Sequence, residues 1–153
     1  MKKRILVALF TALMIAPAFA ATTPHATQAE ARAMLKTALD FYKKNGRQKA
    51  LEAFNKGQKP FSDRDLYVFC IGADRKLVAD GRYKQYIGQD ANLLKDSKGK
   101  SLGDAFLAAV KKTGEGELHY NWFNPVSQLI EAKVSFVARA GTDVCGVGTY
   151  DVK

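Results

Sequence analysis

The stretch ELHYNWFNPVSQLIEAKVSFVARAGTDVCGVGTY, residues 117–150, contains three aromatic and β-branched runs, 117–123, 130–139 and 143–150, separated by NPVSQ and AGT. Breaks this short join antiparallel neighbours, so the stretch predicts three consecutive strands linked by hairpins. Alternation along the first run puts Leu118, Tyr120 and Trp122 on one face and His119, Asn121 and Phe123 on the other. In the second run Ile130, Ala132, Val134 and Phe136 mark the more apolar face, and Lys133 lies with Glu131, Ser135 and Val137 on the opposite one. Register decides what Lys133 meets. A four-residue turn brings it to the face of Tyr120 and Trp122, and a five-residue turn brings it to His119 instead.

Upstream, LYVFCI at 66–71 is a continuous apolar run of strand length, and KLVA follows a GADR turn as its hairpin partner. Ahead of these, TQAE from Thr27 to Glu30 forms a capping-box pattern that opens a helix. Ala31, Met34, Leu35, Ala38, Phe41 and Tyr42 recur along it at three- and four-residue intervals until Asn45 and Gly46 stop it. A short second helix turns Ala50, Leu51 and Phe54 inward. Between KLVA and residue 117, a glycine- and lysine-rich segment is anchored by Tyr86, Ile87, Leu93 and Leu94. A further helix, opened by SLGD from Ser101, then carries Leu102, Ala105, Phe106, Ala109 and Val110 on one stripe. Helices, two strands, a helical connection and three strands predict an α+β domain. It has a five-stranded antiparallel sheet, a long N-terminal helix and a helical segment between strands two and three.

The first twenty residues, MKKRILVALFTALMIAPAFA, have a basic head, an apolar run and small residues at Ala18 and Ala20, the pattern of a secretory signal cut after Ala20. The apolar run is short for a membrane span, and none of adequate length follows, so a soluble periplasmic or secreted domain of residues 21–153 is expected. That size suits one domain with one moderate core. Loss of Lys2, Lys3 and Arg4 reduces the 24 basic residues to 21 against 15 acidic ones, a net charge of +6. The lysines are scattered rather than gathered into a stripe or arm, which argues against a nucleic-acid partner and fits a solvated surface. Cys70 and Cys145 survive export into an oxidising compartment, where one structural disulfide is expected. If the first strand lies mid-sheet beside the last, the two cysteines bridge neighbouring strands.

ALDFYKKNG, DLYVF, IGQDANLLKDSKGK, GEGELHYNWFNP, KVSFV and GVGTY, in that order, resemble the blocks of the single Cache domains. These are extracellular, PAS-like domains that sense small molecules for chemoreceptors and histidine kinases, and the resemblance runs from about residue 29 to residue 150. It departs from the family at two places. Asp80 stands before Gly81 where a histidine is frequent, and Leu118 stands where a tryptophan is frequent. The sheet order that the resemblance implies would place Tyr67, on the first strand, and Tyr150, on the last, where their hydroxyls can join the same site.

Tyr120 and Trp122 are suited to wall a mostly apolar pocket with a few placed donors, and Lys133 or His119 beside them would favour an anion. The expected ligand is a small organic acid, a short carboxylate, held by Lys133 between Tyr120 and Trp122, with Tyr67, His119 and Tyr150 as further hydrogen-bonding residues. Signalling or chemotaxis would pass through a partner such as a membrane receptor or histidine kinase. The alternative is an interaction module without a small ligand, its N-terminal helix docking on a partner or forming a homodimer. The case for an enzyme is thinner. His25 lies in the N-terminal leader, His119 has no triad or HExxH around it, and DSKGK lacks the acids of a calcium loop. No catalytic residue, metal ligand or cofactor is therefore assigned. Gly146 and Gly148 lack a following helix and are read as strand glycines that leave room for a neighbour rather than as a phosphate loop.

Overall fold

In the computed structural model, which describes residues 25–151, helix α1 (Gln28–Asn45) begins at the expected capping box. The Glu30 amide donates to Thr27 Oγ1 at 3.2 Å, and the Thr27 amide donates to Glu30 Oε2 at 2.7 Å. Such caps are worth about 1 kcal/mol. Gly46, at φ 82°, ends α1, and α2 (Arg47–Asn55) follows with Ala50, Leu51 and Phe54 buried. The strands are β1 (Ser62–Asp63), β2 (Leu66–Ile71), β3 (Leu77–Asp80), β4 (Glu115–Phe123), β5 (Ile130–Ala140) and β6 (Asp143–Thr149). The short helix α3 (Gly103–Ala109) lies between β3 and β4.

All strand pairs are antiparallel. The order runs β2, β6, β5, β4, with β1 and β3 both on the free side of β2. The five expected strands are present, together with the two-residue β1. The first long strand lies mid-sheet beside the last, where Cys70 faces Cys145 in register and is bonded to it.

Each face of the sheet has its own core. On one, the α1 stripe of Ala31, Met34, Leu35, Ala38 and Tyr42 packs with Phe54, Val68, Val134, Phe136 and Val147. That stripe faces the chain's own sheet, so a homodimer through α1 remains a proposal that would have to use the helix's polar outer side. On the other face Phe69, Ile71, Val137 and Val144 pack against Leu102, Phe106 and Val110 from α3 and its flanks. Asp143, 1% exposed, ties the junction of α1 and α2 to the β5–β6 turn. It accepts from the Tyr42 hydroxyl at 2.9 Å and pairs with the Arg47 guanidinium.

Two local expectations are corrected. Ser101 does not cap α3, because its backbone bridges Lys95. The helix starts two residues later, with its Asp104 amide taken by the Asn92 side chain at 2.8 Å. Leu93 is 64% exposed, and Ala91 fills the anchoring position instead. The leader is tied down by residue 26. Ala26 is fully buried, its amide donates to Asp65 Oδ1 at 2.9 Å, and its carbonyl accepts from the Thr149 hydroxyl. His25 Nδ1 stands 3.4 Å from Asp65 Oδ2. The signal sequence and its cleavage point lie outside the described residues. Among those described, no helix is long and apolar enough to cross a membrane.

Candidate functional site

The β4–β5 turn resolves the question of register. Pro125–Gln128 form a four-residue turn closed by the Asn124 amide on the Leu129 carbonyl at 2.7 Å, and Gln128 takes φ 61°. Tyr120 therefore pairs with Lys133, Trp122 with Glu131 and Leu118 with Ser135. Paired residues share a face, so Lys133 lies on the aromatic side, away from α1.

Lys133 is 1% exposed, because β5 runs between β4 and β6 and leaves no route for the chain to reach water. Its Nζ donates to the Tyr67 hydroxyl at 2.8 Å and lies 4.3 Å and 4.8 Å from the ring centroids of Tyr67 and Tyr150. Burial pulls the ammonium down to about 7 from its usual 10.5, against the opposing attraction of Asp80 and Asp65. Among the described residues only one of its three N–H donors has an acceptor, the Tyr67 hydroxyl, so the group is underused for a buried cation.

The surroundings are mostly rings. Tyr120 hydrogen-bonds Ser135 Oγ at 2.8 Å and stands edge-on to Phe106 and Trp122. Tyr83 stands edge-on to both Trp122 and Tyr67. The Tyr83 and Tyr150 hydroxyls converge on one acceptor, the Phe123 carbonyl, at 2.8 and 2.6 Å. Tyr150 thus contributes a ring rather than a free hydroxyl. Burial raises the hydroxyl pKa of Tyr67, Tyr120 and Tyr150, and takes Tyr83 to about 12, so all four stay protonated at neutral pH.

Two cavities meet here. The inner one, about 30 Å³, is walled by Tyr67, Asp80, Tyr83, Tyr120 and Trp122 over a floor of Phe69 and Phe106. The outer cleft, about 300 Å³, opens between residues 83–97 and the β4–β5 hairpin. Tyr83, Tyr86 and Trp122 belong to both and form the partition. The inner space is about a tenth of the smallest usual ligand pocket, so an organic ligand enters only if the partition moves.

Of the residues singled out in the sequence, Tyr67, Tyr120, Trp122, Lys133 and Tyr150 converge and His119 does not. His119 projects from the opposite face of edge strand β4, exposed and 3.4 Å from Glu117. Asp80 and Tyr83 escaped sequence reasoning as site residues, although Asp80 stood out as a departure from the family pattern. The other departure, Leu118, packs partly buried against the second core. Gly148 is the reason the lysine fits. A methyl there would overlap Lys133 Cε and Ser135 Oγ, and one at Gly146 would stand 2.6 Å from Phe69 Cζ. Gly148→Ala is expected to lower stability by on the order of 1–3 kcal/mol through overpacking, read as a reduced urea midpoint at unchanged slope. An unchanged midpoint would mean that the lysine stem is not packed as described.

An antiparallel sheet with a long helix on one face and a loop-and-helix cover over an aromatic pocket on the other is the architecture of a PAS-like sensor domain. The chain belongs to the single Cache domains, matching Single Cache domain 2 over residues 5–149. Among solved structures it is similar to a methyl-accepting chemotaxis protein from Vibrio parahaemolyticus RIMD 2210633. The TM-score is 0.66 at 19% identity, over 80% of this chain and 87% of that one. It is also similar to the periplasmic sensor domain of a chemotaxis protein, with TM-score 0.58 at 24% identity over 81% and 89% of the two chains. A third similar structure concerns carboxylic acid recognition by a Cache chemosensory domain, with TM-score 0.59 at 20% identity over 81% and 87%. At these identities the likeness is one of fold. Nothing among curated proteins matches the chain.

Proposed function

We propose that this protein is an exported sensor domain that binds a small organic acid, a short carboxylate, and transforms nothing. Residues 1–20 act as its cleaved signal, and 21–153 work as one Cache domain in the periplasm or outside the cell. The observation that carries the reading is Lys133, a 1%-exposed ammonium that lies behind the Tyr67 wall of the aromatic pocket and is hydrogen-bonded to that tyrosine's hydroxyl. A buried cation that feels carboxylates only at a distance and hydrogen-bonds none is unfavourable, and a ligand carboxylate supplies both a contacting charge and the missing acceptors. Carboxylic acid recognition by a domain of the same fold supports that chemistry. Entry swings the Tyr83 and Tyr86 partition outward and lifts Tyr67 from Lys133. Tyr120 and Trp122 wall the ligand, and the Tyr67 hydroxyl, still able to donate its own proton, turns toward it.

The signal passes through a membrane receptor or histidine kinase. The β4–β5 hairpin supports a docking role of this kind, because Phe123, Val126, Leu129 and Ile130 are all exposed at its tip, beside the entrance to the pocket. Such clustering is unusual on a surface with no partner.

The test is thermal unfolding of the purified protein with acetate, propionate and other short acids, repeated with Lys133→Ala. A ligand at a hundred times its dissociation constant adds about 2.7 kcal/mol, a rise of several degrees for a domain of this size. The expected result is a rise with short acids that is lost in the variant. A melting temperature unmoved across the acids would retire the carboxylate reading.

A further inference from the structure

We propose that the ligand also carries an ammonium group, and that Asp80 receives it among the rings of Tyr67, Tyr83, Tyr120 and Trp122. The ligand class is then a small zwitterion, and the inference rests on the assignment of Lys133 to the carboxylate. Asp80 ends β3 and forms part of the inner cavity wall, 5% exposed. Its Oδ1 accepts from the amides of Arg82 at 2.8 Å and Tyr83 at 2.6 Å, which fixes the carboxylate in place. No amide or side chain among the described residues donates to its Oδ2, which keeps some contact with solvent. The Arg82 guanidinium acts on it only through its charge, since its hydrogen bond goes to the Arg64 carbonyl. Lys133 feels Asp80 electrostatically but gives its hydrogen bond to Tyr67.

One small cavity therefore has an unpaired carboxylate oxygen in its wall and an underused ammonium behind Tyr67. A carboxylate ringed by aromatic faces is the constellation that attracts an organic cation, through charge and through the ring quadrupoles together. A ligand bearing only a carboxylate would bring its charge close to Asp80 in a low-dielectric space, and that repulsion selects against it. A ligand with both groups satisfies each pole.

Calorimetric titration of the purified protein with propionate, ethylamine, alanine, β-alanine and γ-aminobutyrate tests this, since the last three set the two charges progressively further apart. At least one zwitterion is expected to bind roughly ten-fold tighter than propionate or ethylamine. Asp80→Asn keeps the Oδ1 acceptor for both amides and is expected to erase that advantage while tightening propionate binding. If propionate is the tightest ligand of the wild-type protein, the zwitterion inference is overturned and the carboxylate reading stands. If none of the acids or zwitterions binds a folded protein, both fall. Should Asp80→Asn fail to fold, the wild-type ranking alone decides.

Discussion

Lys133→Met is expected to melt higher than the wild-type protein at pH 6 without ligand, and to have lost its response to propionate. The native ammonium titrates near pH 7 against 10.5 in the unfolded chain, because burial outweighs the attraction of Asp80 and Asp65. Between those values the unfolded state holds a proton that the native state lacks. Wild-type stability therefore rises with pH across that window, by up to about 1.4 kcal/mol per unit. Below pH 7 both states are charged and the full desolvation penalty is present. Methionine has a similar length and no charge, so removing the penalty is expected to stabilise by on the order of 1–4 kcal/mol. The advantage should shrink toward pH 9, where the native lysine is already neutral. Melting curves of both proteins from pH 6 to pH 9 measure it. A variant less stable than wild type at pH 6 would show that the ammonium supports the empty fold rather than opposing it. The expected pattern, weaker folding in return for a binding group, is common at functional sites.

The Cys70→Ala/Cys145→Ala protein is expected to unfold well below the wild type. The bond closes a loop of 75 residues between the central strands β2 and β6, the pairing that joins the start of the sheet to its end. Loop-closure entropy for that length is about 4.5 kcal/mol, and native disulfides of small exported domains contribute about 2–5 kcal/mol. For a domain of this size that is roughly 10 °C or more in melting temperature. Wild-type protein in excess reductant should approach the same value. A fall of only a degree or two in both would mean that the strand pairing holds without the cross-link. Binding should weaken as well, because β2 and β6 carry Tyr67 and lead into Tyr150, the two rings that flank the Lys133 ammonium.

The order of elements was legible wherever a local signal was strong. The Thr27 and Glu30 capping box, the Gly46 stop, the LYVFCI run and the AGT turn each depend on neighbours within a few residues. Each appears where those neighbours dictate. Ser101 misled for the complementary reason. Its capping pattern is local, but a bridge to Lys95 holds its backbone, and Asn92, nine residues earlier, does the capping. Asp80 and Tyr83 were hidden as site residues because β3 and the loop after it reach the pocket only by pairing with β2.

From the sequence by itself came the α+β class, the helix ends, the strand alternation and the cysteine pair, all set by periodicity, capping and covalent chemistry over short range. Lys133 was already a candidate there, but with two different sets of neighbours. The tertiary structure decided between them, because one residue more or less in the β4–β5 turn inverts every side chain of β5 relative to β4. That parity brought Tyr120 rather than His119 to the lysine, and the mid-sheet position of β5 closed it off from water. Desolvation by the surrounding strands then turned an ordinary lysine into a cation in need of a partner.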